Sequence, residues 1–152
     1  MTEYAEEFKD IISQVSKCLG RELNMTQIMI KDRGVPHNPP KWEKGMMAVY
    51  TFSYKGHFLK IGKAGPNSKA RFTNQHYNPR SAQSTLAASI LRDSEMSYLN
   101  LDENSVGDWI KNNCRRIDVM IPVEMGIFAL ELVESIFHFK YEPKYEGFNS
   151  QR

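Results

Sequence analysis

The sequence predicts an α/β (α+β) domain: a small, three-stranded, mainly antiparallel sheet flanked by helices, with an N-terminal helical extension. Three observations predict it. Residues 46–52 and 57–63 are short apolar, β-rich runs joined through Tyr54-Lys55-Gly56, which reads as a hairpin turn with Gly supplying φ > 0. Residues 116–121 alternate and are β-rich, giving a third strand beside the hairpin. Around these runs, apolar residues recur at helical spacing.

The elements follow in order. From Glu3 to Leu19, the apolar positions Tyr4, Phe8, Ile11, Ile12, Val15 and Leu19 keep a helical period, and Gly20 stops it. Residues 26–31 are a candidate short strand, not counted in the sheet. Residues 32–42 carry Gly34, Pro36, Pro39 and Pro40 and read as a loop. The chain thus divides into an N-terminal extension with a Pro-rich linker, 1–43, and a main domain, 44–152. After the hairpin, Asn67 or Ser68 caps a helix carrying Ala70, Arg71, Phe72, Gln75 and His76, and Asn78-Pro79 breaks it. Helices are expected from Ser84 to Leu91 and from Ser105 to Asn113. Pro122 turns the chain into a last helix, about Glu124 to Phe139, which ends before Pro143. Its apolar residues leave little polar face, so it should be mostly buried.

With 152 residues, 41% hydrophobic and 25% charged, the chain has the size and composition of one globular domain. No apolar run approaches the ~18 residues of a membrane span. The acidic start lacks a signal-peptide pattern, so a cytoplasmic protein without a membrane partner is expected. Cys18 and Cys114 are expected to be free, buried thiols. Charge is unevenly spread. Residues 44–92 hold 8 basic and 0 acidic residues, whereas 93–152 hold 6 basic and 11 acidic. An acid-free basic stretch points to phosphate backbones and leaves its cations without ion-pair partners inside the segment.

Within this frame, Tyr50, Lys60, Gly62, Arg71 and Glu134 carry the chemistry. An ionised Glu134 on an apolar helix is costly unless paired or metal-bound. A divalent ion would account for it, and so would an ion pair to Arg71 or Lys60. Glu131, one turn earlier, competes for the metal. Arg71 can grip a phosphate with its fork of donors. Tyr50, placed at the end of a buried strand, could orient or deprotonate water, and Lys60 is the alternative base. His76 can relay a proton near neutral pH. Lys63 sits beside Gly62, where backbone approach is close, and reads as a phosphate contact. Lys69, Asn74 and Arg80 extend the expected DNA face.

The order and spacing of these residues resemble the GIY-YIG nuclease family. Ala48-Val49-Tyr50 stands where the family has Gly-Ile-Tyr, and Lys60-Ile61-Gly62 stands where it has Tyr-Ile-Gly. Lys in place of the second tyrosine is similar to certain restriction-enzyme and phage-type variants. Arg71 matches the family arginine on the helix after the second strand. Glu134, nine residues before Pro143, matches the glutamate of the catalytic helix. The tail asparagine is replaced by Glu146, with Asn149 three residues on. The resemblance spans about residues 44–148.

The resemblance implies an Mg²⁺- or Mn²⁺-dependent endonuclease that hydrolyses DNA phosphodiesters. Tyr50 and Lys60 would handle the water, Arg71 the phosphate and Glu134 the metal. His76 would assist, with Glu131 or Asn149 as a brace. The N-terminal extension would serve dimerisation or specificity, because cutting both strands needs two sites. The rival from another class is a non-catalytic nucleic-acid-binding protein with a degenerate form of the fold.

Overall fold

The computed structural model describes residues 3–146. Helix α1 (Glu3–Cys18) leads into strand β1 (Met29–Gly34). Strands β2 (Met46–Tyr54) and β3 (His57–Ala64) form the expected hairpin. Its turn puts Lys55 at φ 48° and Gly56 at φ 78°, the double positive φ that matches the twist of the flanking strands. Helices α2 (Lys69–Thr73), α3 (Leu86–Arg92) and α4 (Val106–Asn113) follow, with 3-10 turns at Gln75–Tyr77 and Ser94–Leu99. Strand β4 (Arg115–Pro122) and helix α5 (Ile127–Tyr141) are the last two of these elements among the described residues.

The sheet has four strands, not three. Its order is β1-β4-β2-β3, all antiparallel. The added strand is β1, an edge strand whose residues are half-buried at most. Its sequence, Met-Ile-Lys-Asp-Arg-Gly, therefore lacks the apolar run that marks β2 and β4.

Helices cover both faces. On one face, Met47, Val49, Ile61, Ile117 and Val119 pack with Phe8 and Ile12 of α1 and with Leu130, Val133 and Phe137 of α5. On the other, Ala48, Tyr50 and Phe52 pack with Phe72, Leu86, Ile90, Val106 and Ile110 from α2, α3 and α4. The two sets alternate along β2, as the two-residue period requires.

Two local features shape the site. The β2–β3 register shifts so that Phe52 faces Lys60 and Ser53 faces Phe58, leaving Leu59 as the extra residue of a bulge. A bulge breaks the alternation. Leu59 thus enters the same core as Phe52, while Lys60 also turns to the Tyr50 side. The open edge of β3 is covered by His138 of α5 and by residues 144–145. Its carbonyls at Phe58, Leu59 and Ile61 accept from Lys144 N, Tyr145 N and His138 Nε2, at 3.0, 3.0 and 2.7 Å. α5 stops at Glu142, which takes a left-handed conformation just before Pro143.

Candidate active site

A cleft of about 270 Å³ opens beside β3. Tyr50, Lys60, Gly62, Lys63, Arg71 and His76 line it from the sheet and from α2 and its following turn. Glu134 and His138 line it from α5, and Glu146 from the segment beyond.

Tyr50 lies at the middle of β2, not at a strand end, with its ring buried. Gly62 is its partner across the hairpin. His76 follows α2 in a 3-10 turn and is itself buried. Its Nδ1 accepts the Leu86 amide N–H at 3.1 Å. The ring proton is therefore on Nε2, which donates to the Tyr50 hydroxyl at 2.6 Å. Tyr50 then keeps its own proton to donate to a group in the cleft. Burial drives the His76 pKa down to about 3, helped by the charges of Lys60, Arg116 and Arg71. Burial also raises the Tyr50 pKa, against the opposing pull of Arg71 and Arg116. Both groups are neutral at pH 7.

The charged groups are arranged around this pair. Lys60 Nζ is 2.8 Å from Glu146 Oε1, with both side chains nearly enclosed. Lys63 Nζ is 3.1 Å from Glu134 Oε1. The cation that meets Glu134 is thus Lys63, rather than Arg71 or Lys60. Arg71 is exposed on α2 at the cleft.

The structure gathers Tyr50, Lys60, Lys63, Arg71, His76 and Glu134 in this one cleft. It places Lys69, Asn74 and Arg80 elsewhere, on exposed surface. Arg80 is engaged by Glu103 through Nε at 3.0 Å and Nη2 at 2.8 Å. The acid-free stretch therefore finds its counter-charges in the later part of the chain, at Glu103, Glu134 and Glu146. Glu131 is exposed and does not line the cleft. Asn149 lies outside the described residues. Cys114 is buried as expected, but Cys18 is exposed at the end of α1.

Sequence reasoning missed the group that supports the cleft from behind. Arg116 is 1% exposed. Its Nε donates to Asp118 at 2.8 Å, Nη1 to the Tyr77 hydroxyl at 3.0 Å and Nη2 to the Phe72 carbonyl at 2.8 Å. Its guanidinium lies over the rings of Phe72, Phe52 and Tyr50 at 4.7, 5.1 and 5.7 Å. Arg33 Nε adds a second donor to Asp118 at 2.9 Å. Tyr77 in turn donates to His37 Nε2 at 2.8 Å, and His37 Nδ1–H donates to the Cys114 carbonyl at 2.8 Å. Burial lowers the His37 pKa and keeps that ring neutral. This network ties α2 and the His76 turn to β4. The available signal was the spacing of Arg116 and Asp118, two apart on one strand face.

No family model, curated protein or solved structure matches the chain. No helix among the described residues is long and apolar enough to cross a membrane.

Proposed function

We propose that the cleft binds a DNA phosphodiester and hydrolyses it, using Mg²⁺ or Mn²⁺ held through Glu134. The observation that supports this reading is the convergence of Tyr50, Lys60, Arg71, His76 and Glu134, drawn from β2, β3, α2, the following turn and α5, on one cleft.

The donor set suits a hard cation of this kind. Mg²⁺ keeps several waters and is commonly bound through one or two carboxylates plus substrate phosphate oxygens. The cleft offers Glu134 and Glu146. Among the described residues there is no group of three or more His, Cys, Asp or Glu side chains that could hold a metal. When bound, the ion would neutralise charge developing on the phosphate oxygens.

The chain's own residues supply the rest. Arg71 is free to swing its fork onto a non-bridging phosphate oxygen. Tyr50, kept a neutral phenol by burial, donates its O–H to the attacking water and orients it. Glu146, released from Lys60 when substrate binds, takes that water's proton as the water oxygen bonds to phosphorus, and the departing oxygen is protonated by solvent as its P–O bond breaks. His76 holds the Tyr50 hydroxyl from behind and fixes its direction. Lys60 and Lys63 exchange their carboxylate partners for substrate phosphate.

One observation favours the non-catalytic alternative. Both cleft carboxylates already meet ammonium groups, Glu134 at Lys63 and Glu146 at Lys60, and so need no metal for charge balance. Nicking of supercoiled plasmid in Mg²⁺ or Mn²⁺, beside DNA affinity in chelator, separates the two. Cutting supports the nuclease. Binding without cutting under either ion supports the non-catalytic protein. Absence of both overturns the DNA reading.

A further inference from the structure

We propose that the outer face of α5 is the contact surface of a two-fold dimer of this chain. The expectation of a mostly buried α5 fails on this face. Phe128 is 71% and Phe139 90% exposed, and Leu132 and Ser135 lie on the same stripe. The spacing from 128 to 132, 135 and 139 follows one face of a helix. A helix apolar on nearly every side is normally covered on every side.

The occupant is argued from shape and charge. At the N-terminal end of α5, Leu19, Leu23, Phe128, Ala129 and Leu132 line an apolar groove of about 300 Å³, with Arg21 beside it. At the C-terminal end of the same stripe stands Phe139, a projecting ring. Groove and ring are roughly 10–16 Å apart along the helix. A two-fold axis through the middle of the stripe reverses α5 and seats each Phe139 in the other copy's groove. Residue i meets j and j meets i, as an isologous interface requires. Ser135, small and near the middle, permits close approach of the two helices. The charges agree with this register. Glu142 is exposed one turn beyond the ring, and Arg21 is exposed beside the groove, so the same rotation pairs Arg21 with Glu142 twice. Glu134 and His138 project from a different flank of α5, about 100° round the axis, so the cleft stays open. The proposal does not depend on what the cleft does.

The test is sedimentation equilibrium on the full chain, with far-UV circular dichroism as a folding check. The wild type should be dimeric, and Phe139→Asp should be monomeric and folded. Arg21→Glu or Glu142→Arg alone should weaken the dimer about tenfold through two like-charge contacts. An equimolar mixture of those two variants restores both pairs in a heterodimer and should recover wild-type affinity. A wild type that stays monomeric at about 100 μM, weaker than even a modest specific contact, would overturn the proposal. So would single variants that dimerise like wild type, or a mixture that shows no recovery.

Discussion

Gly62 on β3 stands directly across from Tyr50 on β2, and a β-carbon at position 62 would lie 2.6 Å from Tyr50 Cζ and 2.8 Å from Cε2. The glycine exists here for space, because its backbone is not in the left-handed region. Gly62→Ala should therefore cost about 1–3 kcal/mol, the usual range for overpacking. It should also displace the Tyr50 hydroxyl from His76. A double-mutant cycle checks the cause. In a Tyr50→Leu background the same alanine should cost at least about 1 kcal/mol less. Equal costs in both backgrounds would place the strain elsewhere.

His76 sets a pH dependence of stability. Its folded pKa is depressed to about 3, below the ordinary imidazole value of about 6.5. Below about pH 6.5 the unfolded chain binds a proton that the folded chain refuses, so stability falls as pH drops toward about 3. Urea titrations at pH 7 and pH 4.5 on wild type and His76→Gln isolate this contribution. The wild type should lose more stability over the interval, by roughly 2 kcal/mol. Matching losses would mean that His76 charges normally in the folded protein.

Arg116 should be costly to remove. Arg116→Met keeps an unbranched stem across the Phe52 and Phe72 rings but leaves Tyr77 and the Phe72 carbonyl without their donor. Asp118 retains only Arg33. The loss should be about 3–5 kcal/mol, typical of breaking a buried ion pair from one side. Thermal melts read it directly. A loss below about 1 kcal/mol would show that water replaces the guanidinium without penalty.

What the sequence disclosed depended on whether a signal was local. The hairpin was legible because Gly56 and two apolar runs fall within one short stretch. The cleft residues Tyr50, Lys60, Arg71 and Glu134 were legible because their order along the chain carried them. Strand β1 went uncounted because an edge strand needs no apolar run. The buried Arg116 and Asp118 went unremarked within the third strand, since burial of a satisfied pair leaves no compositional trace. His37 sat unnoticed in a Pro-rich loop, although its ring closes a hydrogen-bond chain to Arg116. The Leu59 bulge, which turns Lys60 toward the cleft, follows from strand pairing and cannot be seen in either strand alone. The pairing of Lys60 with Glu146 depends on residues 144–146 returning along β3.

The sharpest division between binding and turnover falls on Glu134. In the folded protein its carboxylate meets Lys63 Nζ at 3.1 Å, while its side chain is only 16% exposed. Glu134→Ala removes the proposed metal ligand and also frees Lys63 for a phosphate. Plasmid nicking should fall by roughly 100-fold or more, on the scale of losing one transition-state contact. DNA affinity should hold or rise, because a negative charge leaves the cleft and a positive one is released. Stability should change by less than about 1 kcal/mol, since Lys63 is 38% exposed and regains water. Glu131→Ala is the control, because Glu131 is exposed on α5 outside the cleft. It should leave both cleavage and affinity near wild type. The measurement is nicking rate beside DNA affinity for the two variants. If Glu131→Ala is inactive and Glu134→Ala cuts normally, the metal ligand lies one turn earlier and the cleft lined by Glu134 is not where the phosphodiester is hydrolysed.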